Sequence, residues 1–252
     1  MNSDSANTSG PSLNGHVALV TGASRGIGAA TAQRLAADGA EVYLADLDNC
    51  AAAVAAIEGA GGRATGHVLD VRERDACQQL VDHIVDRSGS LSLLVANAGV
   101  CPPGRVAGDW DQWREVLDVN LNGTQHCVAA AWEALALAQD ASVVLVSSMA
   151  FYLGGVIVGS EYSASKGALI GLTRHLARNG GPQDIRCNAV APGIIETPMI
   201  ETFKRPPLEQ IPLRRYGSAE DVAGPIRFLC GPDAAYLTGT VLNVTGGMVL
   251  AA

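Results

Sequence analysis

The chain is poor in aromatic residues (4%) and in charge (17%), and its 17 Lys and Arg are outnumbered by 25 Asp and Glu, leaving a net charge of -8. The sequence holds no basic cluster that would attract nucleic acid or an anionic membrane, so neither is expected as a partner. No run of 18 uncharged apolar residues occurs, which excludes a transmembrane helix. Six cysteines, at positions 50, 77, 101, 127, 187 and 230, lie far apart, form no Cys-x-x-Cys pair and have no histidine at ligand spacing. That argues against a disulfide or metal framework and for a reduced, cytoplasmic protein with mostly buried thiols. The opening "MNSDSANTSGPSLNG" lacks the apolar core of a secretory signal and reads as a flexible tail over residues 1–14.

What is present is apolar and periodic. At 252 residues and 48% apolar composition the chain can bury a large core, and no repeat or low-complexity linker divides it. A single α/β domain over 15–252 is therefore expected. Short runs rich in Val, Leu and Ile recur: "HVALV", "EVYLAD", "ATGHVLDV", "LSLLVAN", "ASVVLVSS", "DIRCNAVA" and "GTVLNVT". Each reads as a strand buried on both faces. Helical patterns lie between them, among them "IGAATAQRLAADG" and "DACQQLVDHIVDRSG", with Gly39 and Gly89 as C-caps. Strand and helix alternating about seven times predicts a doubly wound, Rossmann-type parallel sheet flanked by helices. In such a sheet ligands bind beyond the carboxyl ends of the strands, which makes the residues following each run the candidates.

After "HVALV" comes "TGASRGIG", whose Gly22, Gly26 and Gly28 lead straight into a helix. Glycines there permit a tight turn and a close backbone approach to a pyrophosphate, and the helix N-terminus supplies free N–H donors. By itself such a loop also serves as a plain turn. Asp46 ends the second strand, 20 residues after Gly26, about where a carboxylate would accept the adenosine ribose hydroxyls and repel the 2'-phosphate of NADP. Arg25, in the loop, pulls the other way. NAD is the expected cofactor and NADP the alternative.

These residues resemble the short-chain dehydrogenase/reductase family from about residue 15 to 250. "TGASRGIG" is similar to its cofactor loop, which implies contacts from Gly22, Ser24, Arg25, Gly26, Ile27 and Gly28. "LDV" resembles its adenine contact, with Asp70 and Val71, and "NAG" the element under the cofactor, with Asn97, Ala98 and Gly99. The resemblance adds "PG" at Pro192 and Gly193 as cofactor contacts and Asn120, Ser148, Tyr162 and Lys166 as the catalytic set, the last two also touching the cofactor, and the nicotinamide is expected near Ile195 and Thr197. It further implies a homotetramer. Ser148 and Tyr162 stand 14 positions apart, one more than the family commonly has, and the substrate lid at about 194–216 is short. Thr245 stands where many members have Asp.

Hydride leaving an alcohol carbon requires a base for the hydroxyl proton, and a tyrosine at its free pKa of about 10 is a poor one. Lowering it by about 3 units takes roughly 4 kcal/mol, about what a unit charge ~4 Å away supplies at an effective dielectric of ~20. In "YSASK", Tyr162 and Lys166 stand at i and i+4 and share one helix face, which brings the ammonium beside the ring. Ser148 is the residue to orient the reacting oxygen, with Ser147 as its neighbouring alternative. Asn120 falls inside an expected long helix, "DQWREVLDVNLNGTQHC", and by resemblance holds a water leading to Lys166. Three groups are expected to line a mostly apolar substrate pocket: Val100, Cys101 and Pro102; Phe151, Tyr152 and Leu153; Ile195, Met199 and Phe203. Lys204 and Arg205 are candidates for holding an anionic substrate, or else solvated lid charges. The expected activity is NAD-dependent interconversion of a secondary alcohol and a ketone. An NADP-dependent carbonyl reductase and a non-catalytic dinucleotide sensor are the rival readings.

Overall fold

The computed structural model describes residues 13–103, 109–155, 158–201, 203 and 205–250. Seven parallel strands form one sheet in the order β3-β2-β1-β4-β5-β6-β7. They are β1 (Val17–Thr21), β2 (Glu41–Asp46), β3 (Arg63–Val68), β4 (Leu93–Ala96), β5 (Ser142–Val146), β6 (Arg186–Pro192) and β7 (Val241–Val244). The helices are α1 (Gly26–Ala37), α2 (Ala51–Gly59), α3 (Arg74–Ser88), α4 (Trp110–Leu117), α5 (Gly123–Leu137), α6 (Ala150–Leu153), α7 (Ser160–Gly180) and α8 (Ala219–Cys230).

The period of two explains why the strand runs are apolar throughout. Ala18, Val20, Val42, Leu44, Leu93 and Val95 point to one face, where they meet Leu35 of α1, Ile57 of α2 and Ile226 of α8. Leu19, Tyr43, Ala45, Leu94 and Ala96 point to the other, against Leu80 of α3, Leu135 of α5 and Leu169 of α7. Chain order reverses between β1 and β4, which opens a crevice at their carboxyl ends.

Two expectations need correction. β3 and β7 are not buried on both faces: each pairs with one neighbour only, and Val68 of β3 is 71% exposed. The long helix around Asn120 is divided, because a π turn over Asp118–Asn122 joins α4 to α5. Of the residues in the expected tail, Leu13 is fully buried and its N–H bonds Asp38 O at 2.8 Å; residues 1–12 lie outside the described residues. Two of the cysteines far apart in sequence meet in space, Cys77 Sγ of α3 and Cys127 Sγ of α5 lying 3.9 Å apart. The glycine stops hold: Gly39 and Gly89 follow α1 and α3 with φ of 100° and 77°. No helix among the described residues is long and apolar enough to cross a membrane.

Arg186, on β6, closes the carboxyl end of α8. Its guanidinium donates to Leu229 O (2.7 Å) and Ala234 O (3.2 Å), and more distantly to Cys230 O and Gly231 O (3.4 Å each). A cation there satisfies carbonyls that the helix leaves without partners and complements the helix dipole. Arg186→Met is expected to lose about 2 kcal/mol and to lower Tm by about 4–8 °C. A shift below ~1 °C in thermal unfolding would mean that α8 is anchored without it.

Candidate active site

The loop after β1 is braced by the exit of β4. Asn97 Nδ2 donates to Thr21 O and Gly22 O, both at 2.9 Å, while the N–H groups of Asn97 and Ala98 bond Thr21 Oγ1 at 3.1 Å. Gly22 has φ of 64°, and a Cβ there would lie 2.8 Å from Ala98 Cα. A Cβ on Gly28 would fall 2.1 Å from Gly22 O, so this glycine lets α1 pack onto the loop. No side chain caps α1, whose N-terminus therefore keeps its donors free.

A cleft of about 640 Å³ runs along these strand ends. Of the residues expected to touch a cofactor, it is lined by Gly22, Arg25, Gly26, Ile27 and Asp46, by Asp70 and Val71, by Asn97, Ala98 and Gly99, and by Thr197. Ser24, Gly28, Tyr162, Lys166, Pro192, Gly193 and Ile195 do not line it. Ser24 N–H bonds Asp46 Oδ2 at 2.9 Å, while the buried Ser24 hydroxyl has no partner. Pro192 and Gly193 act through the backbone, Pro192 O accepting from Met149 N–H and Gly193 N–H bonding Val244 O. Ile195 is 5% exposed and packs in the core with α8, and it borders a second hollow beside Ile211 and Thr245 rather than this cleft.

The cleft also gathers residues that sequence reasoning missed, notably Leu47, Asp48 and Arg72. Asp48 N–H bonds Asp46 Oδ1 at 3.1 Å, and its carboxylate holds Arg25 at 2.7 Å. The position of Asp48, two residues past the strand end, was the signal available. Arg72 bonds Asp70 Oδ2 at 2.5 Å and holds that carboxyl below its usual range. A glycine cradle, open helix donors, an unpartnered Ser24 hydroxyl and Asp46 at the rim fit the pyrophosphate and ribose of a dinucleotide.

On α7, Tyr162 and Lys166 are buried one turn apart, at 8% and 4% exposure. Lys166 Nζ lies 5.8 Å from the ring centroid and donates to Val146 O at 2.8 Å. Burial raises the Tyr162 phenol well above its ordinary value, with Cys101 adding and a hydrogen bond from Ser148 opposing. Burial likewise lowers Lys166 to about 8, Cys101 opposing. The expected lowering of the phenol by the ammonium is therefore absent from the protein alone. The ammonium sits by the ring, turned to a carbonyl, and desolvation governs both groups.

The two serines divide their work. Ser147 is buried and gives its hydroxyl to Lys166 O at 2.7 Å, whereas Ser148 is part-exposed, with Oγ accepting from Ala150 N–H at 3.2 Å. Asn120 is fully buried, and its amide clasps Val100, accepting from N–H at 2.8 Å and donating to C=O at 3.0 Å. Its Nδ2 also reaches Ser165 Oγ at 3.1 Å. A Cβ on Gly99 would lie 3.2 Å from Asn120 Oδ1 and 3.3 Å from Lys166 Nζ, so these three residues converge.

Val100, Cys101, Pro102 and Met199 line the cleft. Phe151 packs on the core, Tyr152 and Leu153 are about half exposed, and Phe203 is half-buried. Lys204 lies outside the described residues. Arg205 is engaged, bonding Glu196 Oε1 at 3.0 Å and covering the Tyr216 ring. Among the described residues no cluster of His, Cys, Asp and Glu could hold a metal ion.

A family model described as enoyl-(acyl carrier protein) reductase matches residues 22–249. The chain is 39% identical over 244 residues to a 3-oxoacyl-[acyl-carrier-protein] reductase of Synechocystis sp., covering 94% of this chain and 98% of that one. It is 38% identical to dehydrogenase/reductase SDR family member 2, mitochondrial, of Homo sapiens, with coverages of 93% and 86%. Among solved structures, a short-chain type dehydrogenase/reductase from Mycobacterium ulcerans superposes with a TM-score of 0.88 at 30% identity, covering 94% of this chain and 90% of that one. A blue fluorescent protein from a metagenomic library, in complex with NADPH, gives 0.87 at 34% identity, with coverages of 94% and 99%. Likeness of this extent, in sequence and in backbone, means that the chain belongs to the short-chain dehydrogenase/reductase family.

Proposed function

We propose that this oxidoreductase interconverts a secondary alcohol and a ketone with NAD as cofactor. The observation that carries the reading is the buried Tyr162–Lys166 pair, with the Ser148 hydroxyl beside the phenol and Lys166 Nζ directly behind Gly99, which lines the cleft. When bound, NAD supplies the hydride acceptor, and its reduced form the donor. Ser148 orients the reacting oxygen, and Tyr162 exchanges a proton with it. In the protein alone the phenol stays protonated, ready to give its proton to a ketone. Alcohol oxidation needs the phenolate, and a positive charge brought within ~4 Å stabilises it by about 4 kcal/mol at an effective dielectric of ~20. Lys166 supplies an ammonium for the cofactor and for the phenolate, while Asn120 fixes the turn on which Gly99 and Val100 approach them.

The choice of NAD rests on Asp46 at the cleft rim and on Arg25, whose guanidinium is already turned to Asp48. A second reading, NADP, is favoured by the NADPH-bound structural neighbour. It is also favoured by the exposure of the Arg25–Asp48 pair, a weak interaction that a phosphate could displace. The apolar walls at Val100, Pro102 and Met199 support a substrate with an apolar body. The ketoacyl carrier substrates named for several relatives are the alternative. Burial of five of the six free cysteines supports a reducing, cytoplasmic setting. Trp110 and Leu137, 70% and 89% exposed on α4 and α5, together with the open edge of β7, support a tetramer built about two-fold axes.

Steady-state kinetics with both cofactors is expected to give the larger kcat/KM with NAD, and Asp46→Ser should narrow the gap. A preference for NADP would overturn the role given to Asp46. Tyr162→Phe should cut kcat by at least ~100-fold with little change in NADH affinity. Near-normal turnover in that variant would remove Tyr162 from the chemistry.

Lys166 should add a pH signature. Its folded pKa of about 8 lies below the ordinary 10.5, so the ammonium that binds the cofactor is present below that value and lost above it. NADH affinity, followed by fluorescence, should be level below pH ~7 and weaken above pH ~8 by up to tenfold per unit. Lys166→Met should abolish that dependence; a profile unchanged by the substitution would assign it to another group. Light scattering should find four chains per particle, and a monomer at working concentration would refute the assembly.

A further inference from the structure

A buried carboxylate that the hydride chemistry leaves unused stands directly before the catalytic tyrosine. Glu161, in the first turn of α7, is 1% exposed. Among the described residues its contacts are few: Oε1 accepts from Gln112 Nε2 at 2.7 Å, and Oε2 has only the Ser160 hydroxyl, at 3.4 Å. Gln112, on α4, gives the same amide nitrogen to Pro103 O at 3.2 Å. The carboxylate folds so tightly over the start of α7 that a Cβ on Gly159 would lie 1.9 Å from Oε1. The Cys101 thiol lies within reach of this charge: burial pushes it up to about 12, with Lys166 opposing and Glu161 adding.

Burying a carboxylate without a cation costs stability unless hydrogen bonds compensate. Here the compensating bond is charge-assisted and short, and it runs through one side chain to a third element. The chain Glu161–Gln112–Pro103 thus ties the helix carrying Tyr162 to α4 and, through Pro103, to the adjoining Cys101–Pro102 wall of the cleft. We propose that Glu161 is a positioning residue that, through Gln112, fixes this wall at the distance from Tyr162 that substrate binding requires. The proposal rests on the reading of the cleft as the substrate site. It makes the wall a hydrogen-bonded part of the pocket, and Glu161 a determinant of substrate affinity that never touches the reacting atoms.

Cys101 is a built-in reporter, being the one cysteine of the six that is not buried. Alkylation by N-ethylmaleimide at pH 8, with the labelled peptide identified by mass spectrometry, reads the wall directly and needs no substrate. Gln112→Ala and Glu161→Ala are expected to speed Cys101 labelling by about tenfold, the other five thiols staying protected. Glu161→Gln keeps an acceptor for Gln112 and removes the charge, so it should label within about twofold of the parent. The double variant should be no faster than either single one, because both break one tether.

With a verified substrate, the two alanine variants should raise KM by about tenfold and leave kcat and NADH affinity within about threefold, Glu161→Gln again resembling the parent. Unchanged labelling in Gln112→Ala overturns the proposal. So does Glu161→Gln behaving like Glu161→Ala, which would mean that charge and not the tether controls Cys101. If Glu161→Ala unfolds and exposes all six thiols, the Gln112→Ala arm decides. If the parent protein turns over no alcohol or ketone, the functional reading fails while the labelling still decides the tether.

Discussion

Lys166 carries an ammonium into a place where it is 4% exposed, with a carbonyl of β5 as its acceptor. Much of the local architecture follows from accommodating that one group. β5 must stop at Val146 for its last carbonyl to be free to turn inward, and Ser147 then holds α7 by bonding Lys166 O. Gly99 leaves room for the ammonium, since a Cβ there would sit tightly at 3.3 Å from Nζ and 3.2 Å from Asn120 Oδ1. The π turn between α4 and α5 brings Asn120 inward to hold Gly99 and Val100 in that narrow place. A helix of regular pitch would carry the α4 and α5 faces past each other without that inward position.

The same contacts link two parts of the chain that lie far apart in sequence. Thr21 and Gly22 are clamped by Asn97, and two residues on, Gly99 and Val100 meet Asn120. Asn120 then bonds Ser165, whose hydroxyl donates to Tyr162 O at 2.8 Å. A continuous path of hydrogen bonds and peptide units thus joins the glycine loop to the helix that carries Tyr162 and Lys166. The residues expected to hold the cofactor and those expected to move the proton share one support, so a change in the β4 exit disturbs both at once.

How much of this could be read from the sequence depends on whether the property is periodic or depends on assembly. The strands β1, β2, β4, β5 and β6 were legible because burial on both faces demands unbroken apolar runs, and the glycine stops because positive φ demands glycine. β3 and β7 have the same flavour of sequence, yet their exposure follows from strand order, which no single run encodes. Tyr162 and Lys166 were legible as a pair, since i and i+4 fix the helix face. Where the ammonium ends was not legible, because the Val146 carbonyl that captures it comes from another element. Ile195 shows a related limit: an apolar residue after a strand suits a pocket and a core equally well, and in the fold it packs against α8 while bordering a second hollow.

The direction of the phenol shift shows which physical effect dominates. A Coulomb argument based on helical spacing puts an ammonium beside a phenol and concludes that the phenol becomes acidic. That treats the dielectric as fixed, but the burial that strengthens the attraction also removes the water that stabilises each charge. In this protein desolvation comes first for both groups: Tyr162 goes up, and Lys166 comes down from 10.5 to about 8. For Lys166 that difference corresponds to about 3 kcal/mol against the ammonium. By linkage the penalty is fully present below pH ~8 and fades as pH rises toward 10.5, where the unfolded chain also loses the proton. A hydroxyl-bearing ligand that offers the ammonium further acceptors would recover part of that free energy. The pair is held where neither charge is fully compensated, so the proton transfer proposed for it depends on groups that complete its solvation.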